Sequence, residues 1–92
     1  MEQPKFVQQP VKEFGWEAGY KYRFSFVPSR EYRASLRNAL PDILFEAKCD
    51  VVRFMLENDW ATVPHKLFQG IRHVYFRVED PAVAVAFKLR FC

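Results

Sequence analysis

Tyr20–Val27, YKYRFSFV, alternates strictly: Tyr20, Tyr22, Phe24 and Phe26 take one side, and Lys21, Arg23, Ser25 and Val27 the other. Period two with aromatic enrichment predicts a strand with one buried face. Ile71–Val78, IRHVYFRV, repeats the pattern, with Val74, Phe76 and Val78 on one face and His73, Tyr75 and Arg77 on the other. Between them, apolar residues at 32, 36, 40, 43, 44 and 47 recur at intervals of three and four, tracing one helical face. Pro28 ends the first strand, and Ser29 is well placed to accept an orphan backbone N–H as the helix N-cap. Pro41 removes a hydrogen bond from any helix interior, so the pattern predicts helix on both sides of a disturbance there.

Two segments are harder to phase. In residues 50–57, DVVRFMLE, Val52, Phe54 and Leu56 alternate with Arg53, Met55 and Glu57, as in a strand. Val51 and Met55 also prolong the helical stripe, and a short apolar run does not separate the two readings. The alternation is preferred, giving a strand. NDWATVPHKLFQG then reads as a long loop carrying Trp60 and Phe68. After the second alternating strand, Asp80 and Pro81 form a helix start, the acid as cap and the proline at the first position. Ala82, Val85, Ala86 and Leu89 are its expected apolar stripe, with Lys88 and Arg90 in the last turn where the helix dipole favours cations.

Residues 1–19 hold two prolines and two glycines, and Phe6, Val7, Val11, Phe14 and Trp16 show no sustained period. They read as an extended N-terminal arm, with a short edge strand at 5–8, leading into a single α+β domain at 20–92. A strand, a crossover helix and a later strand imply a small antiparallel or mixed sheet with two helices on one face. That is a ferredoxin-like or split βαβ arrangement lacking its last strand.

The tail HVYFRVEDPAVAVAFKLRF combines a hydrophobic strand, an acidic helix cap, small residues and FKLR followed by an aromatic. It resembles the ends of small, uncharacterised proteins encoded by tailed bacteriophages. The resemblance covers about a fifth of the chain and implies a phage origin, a host-cytoplasmic location and a split βαβ fold, with no activity attached. It also implies packing roles for Phe87 and Leu89.

Composition sharpens these limits. Half the 92 residues are apolar and ten are Phe, so a packed core is expected and low-complexity disorder is not. The charge of +3 is spread without a block of five like charges, a mild basic bias only. Two cysteines, Cys49 and Cys92, are too few and too far apart for a secreted disulfide scaffold. The N-terminus lacks the pattern of a signal peptide, and no apolar stretch reaches the roughly 18 residues a membrane span needs. A cytoplasmic protein with reduced thiols is expected, with Cys49 buried and Cys92 terminal.

The reactive side chains do not form a known constellation. His65 and His73 lack a nucleophile in motif context; His65 is expected in a loop and His73 on a solvent-facing strand position. Cys49, His65, His73 and Cys92 lack the close pair typical of zinc sites. Asp80 beside Glu79 is accounted for by capping, Asp42 and Glu46 by a solvated helix face, and no glycine-rich phosphate loop is present. The expectation is a non-enzymatic protein without cofactor, metal, small-molecule substrate or membrane partner. Two surfaces remain. Lys21, Arg23, His73, Tyr75 and Arg77 share the outward face of two neighbouring strands, a basic and aromatic arrangement suited to nucleic acid. The plain alternative is a solvated face or one covered by the arm. Phe14 and Trp16 in the arm, with Trp60, Leu67 and Phe68 in the loop, offer apolar material for a protein partner or for self-association. Protein binding is the preferred reading and nucleic-acid binding the alternative.

Overall fold

The computed structural model of this chain describes residues 5–9 and 20–92. Its strands are β1 (Val7–Gln9), β2 (Tyr22–Phe26), β3 (His65–Gln69) and β4 (Val74–Val78). Its helices are α1 (Arg30–Leu36), α2 (Leu40–Glu57) and α3 (Pro81–Phe91), with one 3-10 turn, Arg37–Ala39, joining α1 to α2. The end signals work as their chemistry requires. Tyr32 N–H donates to Ser29 Oγ at 3.1 Å, and Ala82 N–H donates to Asp80 Oδ1 at 2.8 Å. Pro41 lies in the first turn of α2, so helix does flank a disturbance, and the disturbance is the 3-10 turn just before the proline.

The strands form one antiparallel sheet in the order β1-β2-β4-β3. β2 and β3 therefore run parallel with β4 between them, antiparallel to both. The strands expected to be central neighbours, β2 and β4, are so, with Phe24 opposite Phe76. The sheet is not truncated: β1, drawn from the arm, occupies the place beside β2. Phe6 just ahead of it is 4% exposed and its N–H donates to the Phe91 carbonyl at 3.2 Å, so this part of the arm belongs to the core. The rest of the arm, including Phe14 and Trp16, lies outside the described residues.

α2 and α3 cover the face that carries Phe24, Phe26, Val74, Phe76 and Val78. Phe87 is fully buried at the centre, its ring 4.5 Å from Phe24, 4.6 Å from Phe76 and 5.1 Å from Phe6. Burying such a ring contributes about 1.5–3 kcal/mol, which is why a short chain gains from many of them.

Four expectations are corrected. Residues 50–57 are helix: Val51, Phe54 and Met55 continue the buried face of Leu44 and Ala47, while Val52 and Leu56 are exposed. The helix closes with a Schellman motif, in which Trp60 N–H reaches the Met55 carbonyl and Asp59 N–H the Leu56 carbonyl, with Asp59 at φ 58°. The segment read as a loop contains β3, which makes a hairpin with β4 and moves His65 from loop to strand. On α3 the buried residues are Val83, Ala84 and Phe87, whereas Val85 and Leu89 are 60% and 83% exposed. The bulk of Phe87 sets the phase of this helix. Finally, Cys49 is half-buried rather than buried, on the flank of α2.

Candidate nucleic-acid interface

The sheet face turned away from α2 and α3 is organised by strand register. Opposed residues form one row, Gln9–Arg23–Arg77–Lys66, and a second, Val7–Ser25–Tyr75–Phe68. Three of the four side chains in the first row are cations. The second row brings Tyr75 of β4 against Phe68 of β3. Side chains directly opposed in an antiparallel pair lie roughly 5 Å apart at Cβ, so these rows are contacts.

His73, immediately before β4, completes the aromatic part. Its ring lies 4.3 Å from Tyr75 and 6.0 Å from Phe68 between centroids. The hairpin turn holds it there. Gly70 N–H donates to the His73 carbonyl at 2.8 Å, and the imidazole lies over Gly70 so closely that a Cβ would stand 2.4 Å from its Nε2. The Arg77 guanidinium lies 5.4 Å from the Tyr75 ring centroid, within cation–π range. Three rings on one face thus stand beside the side chains of Arg77 and Lys66.

Exposure divides this face. Arg23 is 5% exposed and Ser25 4%, although the alternation set both outward. The parity was right and the openness was not: the β2 half is covered, and Gln9 Nε2 donates to Ser25 Oγ at 2.8 Å. Arg23 therefore offers no contact surface. Across β4 and β3, His73, Tyr75 and Arg77 are half-buried, while Lys66 is exposed and Phe68 is 51% exposed. Lys21 stands at the end of the sheet with Glu79, whose Oε2 accepts from Lys21 N–H at 2.9 Å and whose Oε1 lies 3.9 Å from Nζ. The accessible site accordingly sits on β3 and β4, one strand over from its expected centre.

The apolar surface expected from arm and loop does not assemble as one patch among the described residues. Trp60 packs edge-on against Phe54 at 5.6 Å, and Leu67 packs against the core from the helix-covered face. Phe68 points the other way and joins the rings of the site. Lys66 and Phe68 are the residues sequence reasoning did not group with Tyr75 and Arg77. The available signal was weak: HKLFQG alternates over five residues before its glycine, with a single large apolar residue, Leu67, on the core side.

Other chemistry has little support in the geometry. His65 Nδ1 lies 2.6 Å from the Val63 carbonyl oxygen, a local contact at the start of β3. Among the described residues, no three His, Cys, Asp or Glu side chains group as a metal site requires. Burial pushes the Cys92 thiol above its ordinary value, with Lys88 opposing the shift, so the thiolate is disfavoured there. No helix among the described residues is long and apolar enough to cross a membrane. Comparison with family models, with curated proteins and with solved structures finds no match. The likeness of the tail to tailed-phage proteins therefore rests on its quoted residues alone.

Proposed function

We propose that this chain binds single-stranded nucleic acid across the β3–β4 face. Phe68, His73 and Tyr75 stack bases, and Lys66 and Arg77 hold the phosphates on either side of them. The observation that carries this reading is the register that sets Phe68 opposite Tyr75 and Lys66 opposite Arg77, with His73 completing the rings. Every base has a π-face, so such a platform takes many sequences, and its cations make binding depend on salt. The basic balance of the chain favours the same partner. Protein binding through the rings of arm and loop ranks behind it, because Trp60 and Leu67 are used in folding. The function proposed is binding, without catalysis, cofactor or small-molecule substrate.

The test is fluorescence anisotropy of labelled single- and double-stranded DNA and RNA, titrated with the pure protein over a range of salt. Single strands should bind more tightly than duplex, with log affinity falling linearly in log salt. Replacing Lys66 and Arg77 by Gln should reduce that slope by about 1.4, because each phosphate contact on a single strand contributes about 0.7. Absence of binding up to about 10⁻⁴ M protein, the weak end of ordinary non-specific affinity, would overturn the proposal.

A further inference from the structure

α2 presents a second apolar surface that the core does not use. Phe45, Val52 and Leu56 are 58%, 42% and 62% exposed, and half-buried Cys49 falls between them. Their spacing of four, three and four residues makes a continuous stripe about 16 Å long at 1.5 Å per residue. On the helical wheel it lies on the side turned away from α3, because Glu57, on the other side, bonds Arg90 of α3 at 3.1 Å. α2 lies against β3 and β4, while the α3 ring Phe87 packs on Phe24 and on Phe6 ahead of β1. The stripe consequently overhangs the β3 edge of the sheet.

That edge is itself unpaired among the described residues. Gly70 and His73 form a hydrogen-bonded pair at the hairpin turn. By the alternation of an antiparallel ladder, Phe68 and Lys66 bond inward to β4, whereas the backbone groups of Leu67 and Gln69 point outward. A five-residue edge with free N–H and C=O groups is a template for another strand.

We infer that this flank is a homodimer interface, with a second copy of the chain as its occupant. One two-fold axis can satisfy both features: β3 pairs antiparallel with β3 of the second copy, and α2 packs antiparallel beside α2 of that copy. On the outward border of the stripe the charges match in sign only in that sense, while Lys48 lies on its sheet-facing border. Asp42 and Glu46 lie in its first half and Arg53, which also pairs with Asp50 of its own chain at 3.4 Å, in its second. With the axis between Cys49 and Val52, Phe45 meets Leu56 of the other copy. Glu46 then comes within about 3 Å, along the helix axis, of the level of the other copy's Arg53. A parallel arrangement would bring like charges together. The self-matching of edge, stripe and charge selects a second copy over an unrelated partner. This inference does not depend on the nucleic-acid reading.

Sedimentation velocity over a concentration series tests it. Wild-type chain should dimerise, and Val52→Glu or Leu56→Glu should each weaken the dimer about 10-fold or more, the scale of one lost buried aliphatic side chain. Both side chains are exposed in the single chain, so circular dichroism should be unchanged, and so should melting at concentrations low enough for the wild type to be monomeric. Gln69→Pro removes an outward N–H that pairs with no strand among the described residues, and should abolish the dimer while the fold persists. Glu46→Arg should weaken association, and Glu46→Arg with Arg53→Glu should restore it. A chain monomeric at about 10⁻⁴ M, weaker than any specific association of interest, overturns the inference. So does a dimer indifferent to Leu56→Glu and Gln69→Pro, or one that the double charge exchange fails to restore.

Discussion

The rings of Phe68, His73 and Tyr75 are arranged around Gly70, and this gives a test of the proposed site at one remove. Replacing Gly70 by Ala places a methyl carbon 2.4 Å from His73 Nε2, 2.7 Å from Cε1 and 3.0 Å from Cδ2. Ordinary carbon contacts begin near 3.5 Å, so the imidazole must move by about 1 Å or rotate away. Because the obstruction is the far end of a side chain, the ring yields rather than the backbone. Losing the contact of His73 with Tyr75 costs about 0.5–1.5 kcal/mol. Reduced freedom of the unfolded chain returns about 0.4–1 kcal/mol, provided Ala fits the native backbone. The net change in stability should stay within about 1 kcal/mol, a melting shift of less than about 8 °C for a domain this size. Affinity for a single strand should fall far more, by about 5- to 150-fold, since one stacked base is worth about 1–3 kcal/mol. The decisive comparison is a double-mutant cycle by anisotropy: in a His73→Ala background, Gly70→Ala should have no further effect, because the ring it displaces is absent. Equal losses in both backgrounds would show that the substitution acts through the hairpin backbone. If His73→Ala itself binds like wild type, the imidazole is no part of the platform and the reasoning fails.

Three further perturbations probe the frame. Phe87→Ala removes the ring at the centre of the core and should cost about 3–5 kcal/mol in urea unfolding; a loss under about 1 kcal/mol would mean the core is not organised around it. Asp59→Gly relieves a left-handed residue at the end of α2, φ 58°, and should stabilise the fold by up to about 1 kcal/mol, read as a higher urea midpoint at constant slope. Alkylation of Cys92 at mildly alkaline pH should be slower than that of a free peptide thiol, because burial raises its pKa. Lys88→Gln should slow it further by removing the opposing cation, and a faster reaction would contradict the assigned causes.

How much of this was legible depends on how many constraints each segment carried. β2 and β4 were readable because large apolar residues alternate with polar or charged ones over five positions, and α3 because its start is fixed by Asp80 and Pro81. The phase of α3 was not, since PAVAVAF is apolar nearly all round and periodicity gives no preferred face. Residues 50–57 satisfied two periods at once. What decides them is the continuation of α2 to its Schellman end, which requires a positive φ at an aspartate, a residue that carries no strong signal for it. β3 was missed because only Leu67 on its core side is large and apolar, so its membership in the sheet is a gift of β4 rather than of its own sequence. With β3 missing, Phe68 and Lys66 fell outside the site, and the site was centred on β2. Arg23 shows the complementary gap: alternation tells which face a side chain takes, while cover over that face is a tertiary fact.

Where the chain spends its phenylalanines links the two proposed surfaces. Of the nine in described positions, six are buried, Phe91 is half-buried, and only Phe45 and Phe68 are strongly exposed. Both lie on the β3 side of the domain, Phe45 on the flank of α2 and Phe68 on the opposite face of the sheet. If two copies join across β3, their strands form one continuous sheet, and each β3 carries Lys66 and Phe68 up to the shared axis on the same face. The ring platforms of the two copies would then lie side by side, and a strand long enough to cross the axis would engage both. The second engagement is intramolecular, and avidity of this kind exceeds single-site affinity by about 10²–10⁴-fold when the geometry permits it. Gln69→Pro, which leaves every ring in place, should therefore reduce affinity for an oligonucleotide of about 20 residues much more than for one of about 6, the latter near the site size of one small domain. Equal loss for both lengths would mean that the substitution disturbs the platform itself, and no loss for either would mean that the two surfaces act independently.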